Sequence, residues 1–178
     1  MQTSLTTLTG VTLLLGITLL ARAQTEIAKP VPQLRKLDYF AGTWTAEGDV
    51  KPGVMGRGGK FTGTNRVRWM DGAFFLVTHS EFSGALGRGT ETAYMGYDSN
   101  DKVYTYDSFN SLGEADHAKG NLEGDTWNWQ SETRIGRRTM KGRLTIRMIS
   151  PTAYRFKFET SPDGITWNTV LEGKDTKK

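Results

Sequence analysis

The chain contains no cysteine. Disulfides, thiolate nucleophiles and cysteine-based zinc sites are excluded together, so an exported protein of this sequence must rest on a packed core. Histidine occurs twice, as His79 and His117, which makes no zinc site unless carboxylates converge on the same point. Like charges do not cluster either. The formal net charge of +4 comes from basic residues that alternate with acidic ones, so no polybasic patch argues for nucleic acid or anionic lipid. Internal repeats and low-complexity tracts are missing as well.

What is present begins with an N-terminal apolar run. Leu13-Leu14-Leu15-Gly16-Ile17-Thr18-Leu19-Leu20 leads to Ala21-Arg22-Ala23, a small-x-small cleavage pattern before Gln24. A basic stretch ahead of the run is lacking, yet the run is too short to span a bilayer comfortably. Residues 1–23 read as a cleavable signal peptide, whose loss removes Arg22 and lowers the charge from +4 to +3. The expectation is a secreted or periplasmic protein with no stable membrane insertion after signal removal. Residues 24–33 carry Pro30 and Pro32 and no periodicity, and read as a flexible tether. Residues 34–178 then form one domain, long enough for a single core.

Leu34, Leu37 and Phe40 are spaced for one face of a short helical turn. After Gly42-Thr43-Trp44 the apolar period becomes two. Phe61, Gly63, Asn65, Val67 and Trp69 alternate with Lys60, Thr62, Thr64, Arg66 and Arg68. The cleanest case is 138–150, where Leu144, Ile146 and Met148 should point inward while Arg143, Thr145 and Arg147 point out. Asp71-Gly72, Asp98-Ser99-Asn100-Asp101 and Glu123-Gly124-Asp125 mark turns between such runs. Ser161-Pro162-Asp163-Gly164 turns into a last strand over 165–171 with Trp167 facing in, and the polar tail 174–178 reads as frayed. About ten short strands with hairpin-length connections predict an all-β fold. The expected form is a single antiparallel up-and-down barrel with a short N-terminal helical plug, since closure removes exposed edges.

Rings on the expected inner face form the most suggestive feature: Trp69, Tyr104, Tyr106, Trp127, Trp129, Tyr154, Phe156 and Phe158. A barrel of ten strands is wide enough for a cavity, and aromatic walls suit a hydrophobic ligand. Trp69, His79, Tyr104, Tyr106, Trp127, Trp129 and Phe156 are therefore the candidate ligand-binding residues, with no cofactor assigned and a small hydrophobic molecule as the partner. The same rings could instead fill the barrel as ordinary core. His79 and Glu81 share one face of the 73–82 strand with Phe75 and Val77. Were that face internal, they would be an imidazole and a carboxylate in a dry site; were it external, they are surface residues. Phe74, Leu76, Thr78, Ser80 and Phe82 on the other face are as apolar. A haem-binding barrel, or a hydrolase using His79 and Glu81, is the alternative function. No nucleophile is identifiable beside them, which weighs against an enzyme. His117 lies in a polar run and reads as a surface residue. The glycine-rich stretch 53–59 has no Lys-Ser/Thr after it and is followed by a strand, so it reads as a mouth loop and not a phosphate cradle.

Two patterns resemble known families. The apolar turn into Gly42-Thr43-Trp44 resembles the Gly-x-Trp entrance of lipocalin-like (calycin) barrels. The longer pattern comprises Phe75-Leu76, Met95-Gly96-Tyr97-Asp98, Tyr104, Ser111-Leu112-Gly113-Glu114 and Ser161-Pro162-Asp163-Gly164-Ile165-Thr166-Trp167. It resembles a family of small, mostly bacterial exported proteins catalogued as a domain of unknown function. The resemblance implies a ten-stranded calycin-type barrel, distantly similar to nitrobindins and fatty-acid-binding proteins. It brings no catalytic residues, and the haem-ligating histidine motif of nitrobindins matches neither His79 nor His117.

Overall fold

A computed structural model describes residues 29–53, 56–135 and 138–178, without the side chains of 133–138. The expected signal peptide, the tether up to residue 28, and Val54-Met55 of the glycine-rich loop lie outside the described residues. A plug helix, Pro32–Phe40, opens the fold. Ten strands follow: β1 (Gly42–Val50), β2 (Gly59–Trp69), β3 (Leu76–Gly84), β4 (Gly89–Asp98), β5 (Val103–Asn110), β6 (Ala115–Glu123), β7 (Thr126–Ile135), β8 (Arg138–Ser150), β9 (Ala153–Ser161) and β10 (Asn168–Lys177). Each pairs antiparallel with its neighbours in sequence, and β10 pairs with β1 to close the barrel.

The plug helix is a 3-10 helix over all nine of its residues, long for a type that usually runs to three or four. Its sequence explains the choice. Leu34, Leu37 and Phe40 recur every three residues, and a helix of three residues per turn stacks them on one line. All three are buried. Pro32 supplies a fixed φ in the first turn, where its missing N–H costs nothing. The helix therefore begins two residues inside the stretch expected as tether.

Tertiary contacts hold this helix across the end of the barrel. Trp44 Nε1 donates to the Phe40 carbonyl at 2.7 Å, and Trp69 Nε1 donates to Asp38 Oδ1 at 2.8 Å. Tyr104 Oη donates to the Gln33 carbonyl at 3.0 Å. Tyr39 Oη lies 2.9 Å from both the Ser150 and Ala153 carbonyls. Gly42 separates helix from strand with φ of +129°, and a side chain there would meet Lys177 Cε at 2.9 Å. Glycine alone fits that corner.

Inside the barrel the alternation holds on β8. Leu144, Ile146 and Met148 pack against the core, while Arg143 pairs outside with Glu159. Two expectations are corrected, and the alternative left open on β3 is decided. On β3, Leu76 is fully buried and His79 is exposed, so the Leu76, Thr78, Ser80, Phe82 face is the internal one. The tail is not frayed: Lys174 to Lys177 pair with Glu47 to Trp44, because a barrel closes only if the first strand finds its last partner. Trp167 precedes β10 and lies outside, with the Arg143 guanidinium 4.2 Å over its ring. The turn before it causes this. Asp163 Oδ1 accepts from the Ile165 and Thr166 N–H groups at 2.8 and 3.0 Å and spends those residues on the turn. These bonds hold the Asp163 carboxyl down at about 2.

Trp44 is 1% exposed and joins helix, first strand and last strand. Trp44→Ala is expected to cost about 3–5 kcal/mol in urea unfolding, as for large aromatic truncations in cores. A loss under about 1 kcal/mol would show that the plug stands without it.

Candidate functional site

The barrel interior divides into a sealed floor and a wall above it. At the floor, Trp127 is fully buried. Its ring lies 5.6 Å from Phe40, 4.7 Å from Tyr104 edge to face, and 5.8 Å from Trp129 at an interplanar angle of 9°. Tyr154 packs on Trp44 at 4.9 Å and on Phe40 at 5.8 Å. Plug and floor rings form one continuous cluster.

Above them the inward side chains of β7 to β9 make an apolar wall: Trp129, Leu144, Ile146, Phe156 and Phe158. Leu144, Ile146, Phe156 and Phe158 face inward yet are only half-buried, and so is Tyr106 across from them. Rings here lie along the wall. A side chain at Gly120 would meet Trp129 at 2.5 Å, and one at Gly173 would meet Phe156 at 2.5 Å. One at Gly142 would meet Phe158 at 3.1 Å. Each ring occupies the place of a missing neighbouring side chain, so it need not extend toward the axis.

The opposite side, on β2 to β6, carries a polar stretch beside the inward rings Phe61 and Phe82. Asn65, Ser80 and Glu91 stand abreast, with Ala93, Ser108 and Asp116 in an adjoining row. Tyr106 Oη donates to Glu91 Oε1 at 3.0 Å. Burial is the main cause that raises the Glu91 carboxyl, opposed by the bond from Tyr106 and reinforced by Asp116. Burial, with Glu91 beside it, also pushes the Tyr106 hydroxyl well above its ordinary value. A second pair lies toward the floor. Asn65 Nδ2 donates to Asp175 Oδ1 at 2.9 Å, and Tyr154 also bonds to Asp175. Asp175 is 2% exposed, and burial raises it to about 6 against these hydrogen bonds.

The structure distributes the sequence-predicted site residues unevenly. Tyr106, Trp129 and Phe156 share the interior above the floor, and Trp127 forms the floor beneath them. Trp69 and Tyr104 spend their polar atoms on the plug helix. His79 stands on the outer surface, with Nδ1 3.1 Å from Thr92 Oγ1. Glu81 pairs outside with Arg66 at 2.6 Å, so neither enters an enclosed site. His117 is also external, 2.6 Å from Asp107. Sequence reasoning missed Glu91 and Asp175. Glu91 carried a signal, an acid in phase with Ala93 and Met95; Asp175 was hidden in a tail that looked unpaired. Among the described residues, no group of three or more His, Asp or Glu side chains could hold a metal ion, and no helix is long and apolar enough to cross a membrane.

Asp175 makes a pH prediction. Its folded value of about 6 lies above its ordinary 3.8, so the folded state holds this proton more tightly than the unfolded chain. The stabilisation is fully present below about pH 3.8 and is lost as pH rises through about 6. The displacement corresponds to about 3 kcal/mol. Asp175→Asn should therefore match wild type near pH 3.5 and exceed its stability near pH 7. A constant difference across pH 3.5–7 in urea unfolding would show that Asp175 titrates as an exposed carboxylate.

No curated protein matches the chain. Among solved structures, the barrel is similar to Rv2717c from M. tuberculosis, with a TM-score of 0.60 and 12% sequence identity over 84% of this chain and 99% of that one. At that identity the likeness is one of fold. A family model matches residues 29–177, the whole barrel and its plug, and the chain belongs to the family described as Protein of unknown function (DUF1579).

Proposed function

We propose that this protein is an exported barrel that binds a small hydrophobic molecule inside, against the β7–β9 wall. The observation that carries the reading is the half-buried state of Tyr106, Leu144, Ile146 and Phe156. All four face inward above a floor that Trp127 and the plug seal. In a filled core such residues would be covered. About 100 Å² of apolar surface laid on that wall would contribute about 2.5 kcal/mol. The Glu91–Tyr106 pair supplies a hydrogen-bonding end opposite, which suits a ligand with an apolar body and one polar group. Export follows from the N-terminal sequence: protein recovered from an exporting host should begin at Gln24 by intact mass, and an uncleaved N-terminus would overturn that part.

A fluorescence titration with an environment-sensitive naphthalene probe tests the binding reading. Wild type should saturate, and Leu144→Trp, which places a larger ring in the open space, should weaken binding at least ~10-fold, about 1.4 kcal/mol. Leu144→Trp should fold with stability within about 1 kcal/mol of wild type, because nothing is displaced. His79→Gln should bind within about twofold of wild type, its ring being outside. Lack of saturable binding, or a cost of about 1–3 kcal/mol for Leu144→Trp from overpacking, would make the barrel a filled structural module.

A further inference from the structure

The outer surface carries an arrangement that the linear alternation of charges conceals. Strand register sets Lys174 of β10 directly opposite Arg155 of β9, and Arg155 directly opposite Arg147 of β8. Three cations therefore stand abreast on one face. Opposed residues of neighbouring strands have Cβ atoms about 5 Å apart, and like charges so placed are destabilising. In the adjoining row Lys157, Glu172, Asp49 and Lys60 stand in register; two carboxylates face each other there, but each has a cation on its other side. Further along β8 and β9, Arg143 opposes Glu159. In the Arg147–Arg155–Lys174 row Glu47 stands opposite Lys174 at one end, while Arg155 has a cation on both sides.

These cations line a groove of about 750 Å³ that crosses β2, β1, β10, β9 and β8 on the outside of the barrel. Lys60, Arg147, Arg155, Lys157 and Lys174 face Glu47, Asp49 and Glu172 there. Most of these charges are already engaged. Asp49 takes Lys60 at 2.8 Å, Glu172 takes Lys51, and Lys157 takes Glu159 at 3.0 Å. Arg147 reaches Asp125 at 3.6 Å, away from the groove. Among the described residues, no ion pair engages Arg155 or Lys174, the centre and one end of the row.

We propose that this groove binds a phosphoryl group, with Arg155 at the centre of its oxygens and Arg147 and Lys174 on either side. The chemistry follows from number and spacing. A carboxylate has two oxygens and one charge, which a single guanidinium fork satisfies. A phosphoryl group has three strong acceptor oxygens and nearly two charges, enough to bridge cations on neighbouring strands. Bound, it converts a repulsive row into a neutralised one. The site is external and does not depend on the interior ligand. A free phosphorylated small molecule presents this chemistry in full; a phospholipid phosphodiester, with two free oxygens and one charge, presents part of it.

The test uses the mature protein with two probes. Inorganic pyrophosphate is titrated by calorimetry at low and high salt, and sedimentation measures binding to phosphatidylglycerol and phosphatidylcholine vesicles. Saturable pyrophosphate binding, weakened at least ~10-fold in Arg155→Gln and by less than about twofold in Lys119→Gln, supports the site. Lys119 is an exposed cation elsewhere, paired with Asp101. Arg155→Gln should also hold or raise the unfolding temperature, since it relieves repulsion while removing a ligand contact. Vesicle binding that requires phosphatidylglycerol and Arg155 assigns the lipid source; pyrophosphate binding without vesicle binding assigns the soluble one. Absence of both, or equal losses in Arg155→Gln and Lys119→Gln, overturns the proposal.

Discussion

The indole N–H of Trp44 donates to the Phe40 carbonyl at 2.7 Å, and this bond fixes the point where a helix ends and a barrel begins. A helix end leaves carbonyls without partners; here one is satisfied by the side chain that starts β1. The same indole sits under the Lys177 ammonium, 4.9 Å from the ring centroid, where the last strand arrives. First strand, last strand and plug therefore meet on one side chain. Closure of the sheet and sealing of its end become a single event, because neither β1–β10 pairing nor helix docking is complete without that ring in place.

Such coupling explains what could be read in advance and what could not. The strands were legible because their turns are local: Asp98 accepts from the Asn100 and Asp101 N–H groups, a geometry written into four consecutive residues. The inner face of β8 was legible because every second residue is apolar. β3 was ambiguous because both its faces carry large side chains, and its orientation is decided by Leu76 meeting Met95 across the ladder. Strand β10 was illegible at its end, since Lys174-Asp175-Thr176-Lys177 looks solvated until β1 lies beside it. Of the seven candidate site residues, those whose polar atoms reach the plug had no local mark to set them apart from the rest. Asp38 and Gln33, their partners, lie 31 and 71 residues away in sequence.

The interior is asymmetric in a way that bears on ligand chemistry. Most of its apolar wall comes from β7 to β9, with Phe61 and Phe82 added from β2 and β3, and its buried acid Glu91 comes from β4. Among the described residues, the cation at an inward position is Lys177, which faces Trp44 at the plug end. A ligand ending in a carboxylate would bring its charge toward Glu91, where burial already disfavours the ionised form. A neutral group, or one that donates hydrogen bonds, meets no such cost. The walls are thus compatible with the hydrophobic body of a fatty acid and unfavourable to its head.

Glycine placement decides whether an aromatic interior can also be open. A ring projecting from a barrel strand normally reaches toward the axis and fills it. Here Trp129 lies against Gly120, Phe156 against Gly173 and Phe61 against Gly48, each at a distance that no side chain on the glycine would permit, and Phe158 lies close against Gly142. The rings tile the wall, covering bare backbone of the neighbouring strand while keeping one face toward the interior. Backbone hydrogen bonds of the ladder are shielded, and the volume that an alanine or valine would take is returned to the centre. The conformational entropy that each glycine costs is offset by burial of the ring edge on its neighbour. An interior assembled this way is rich in aromatic surface laid along the wall, so the rings that look like core in the sequence cover the neighbouring strands' backbone in the fold.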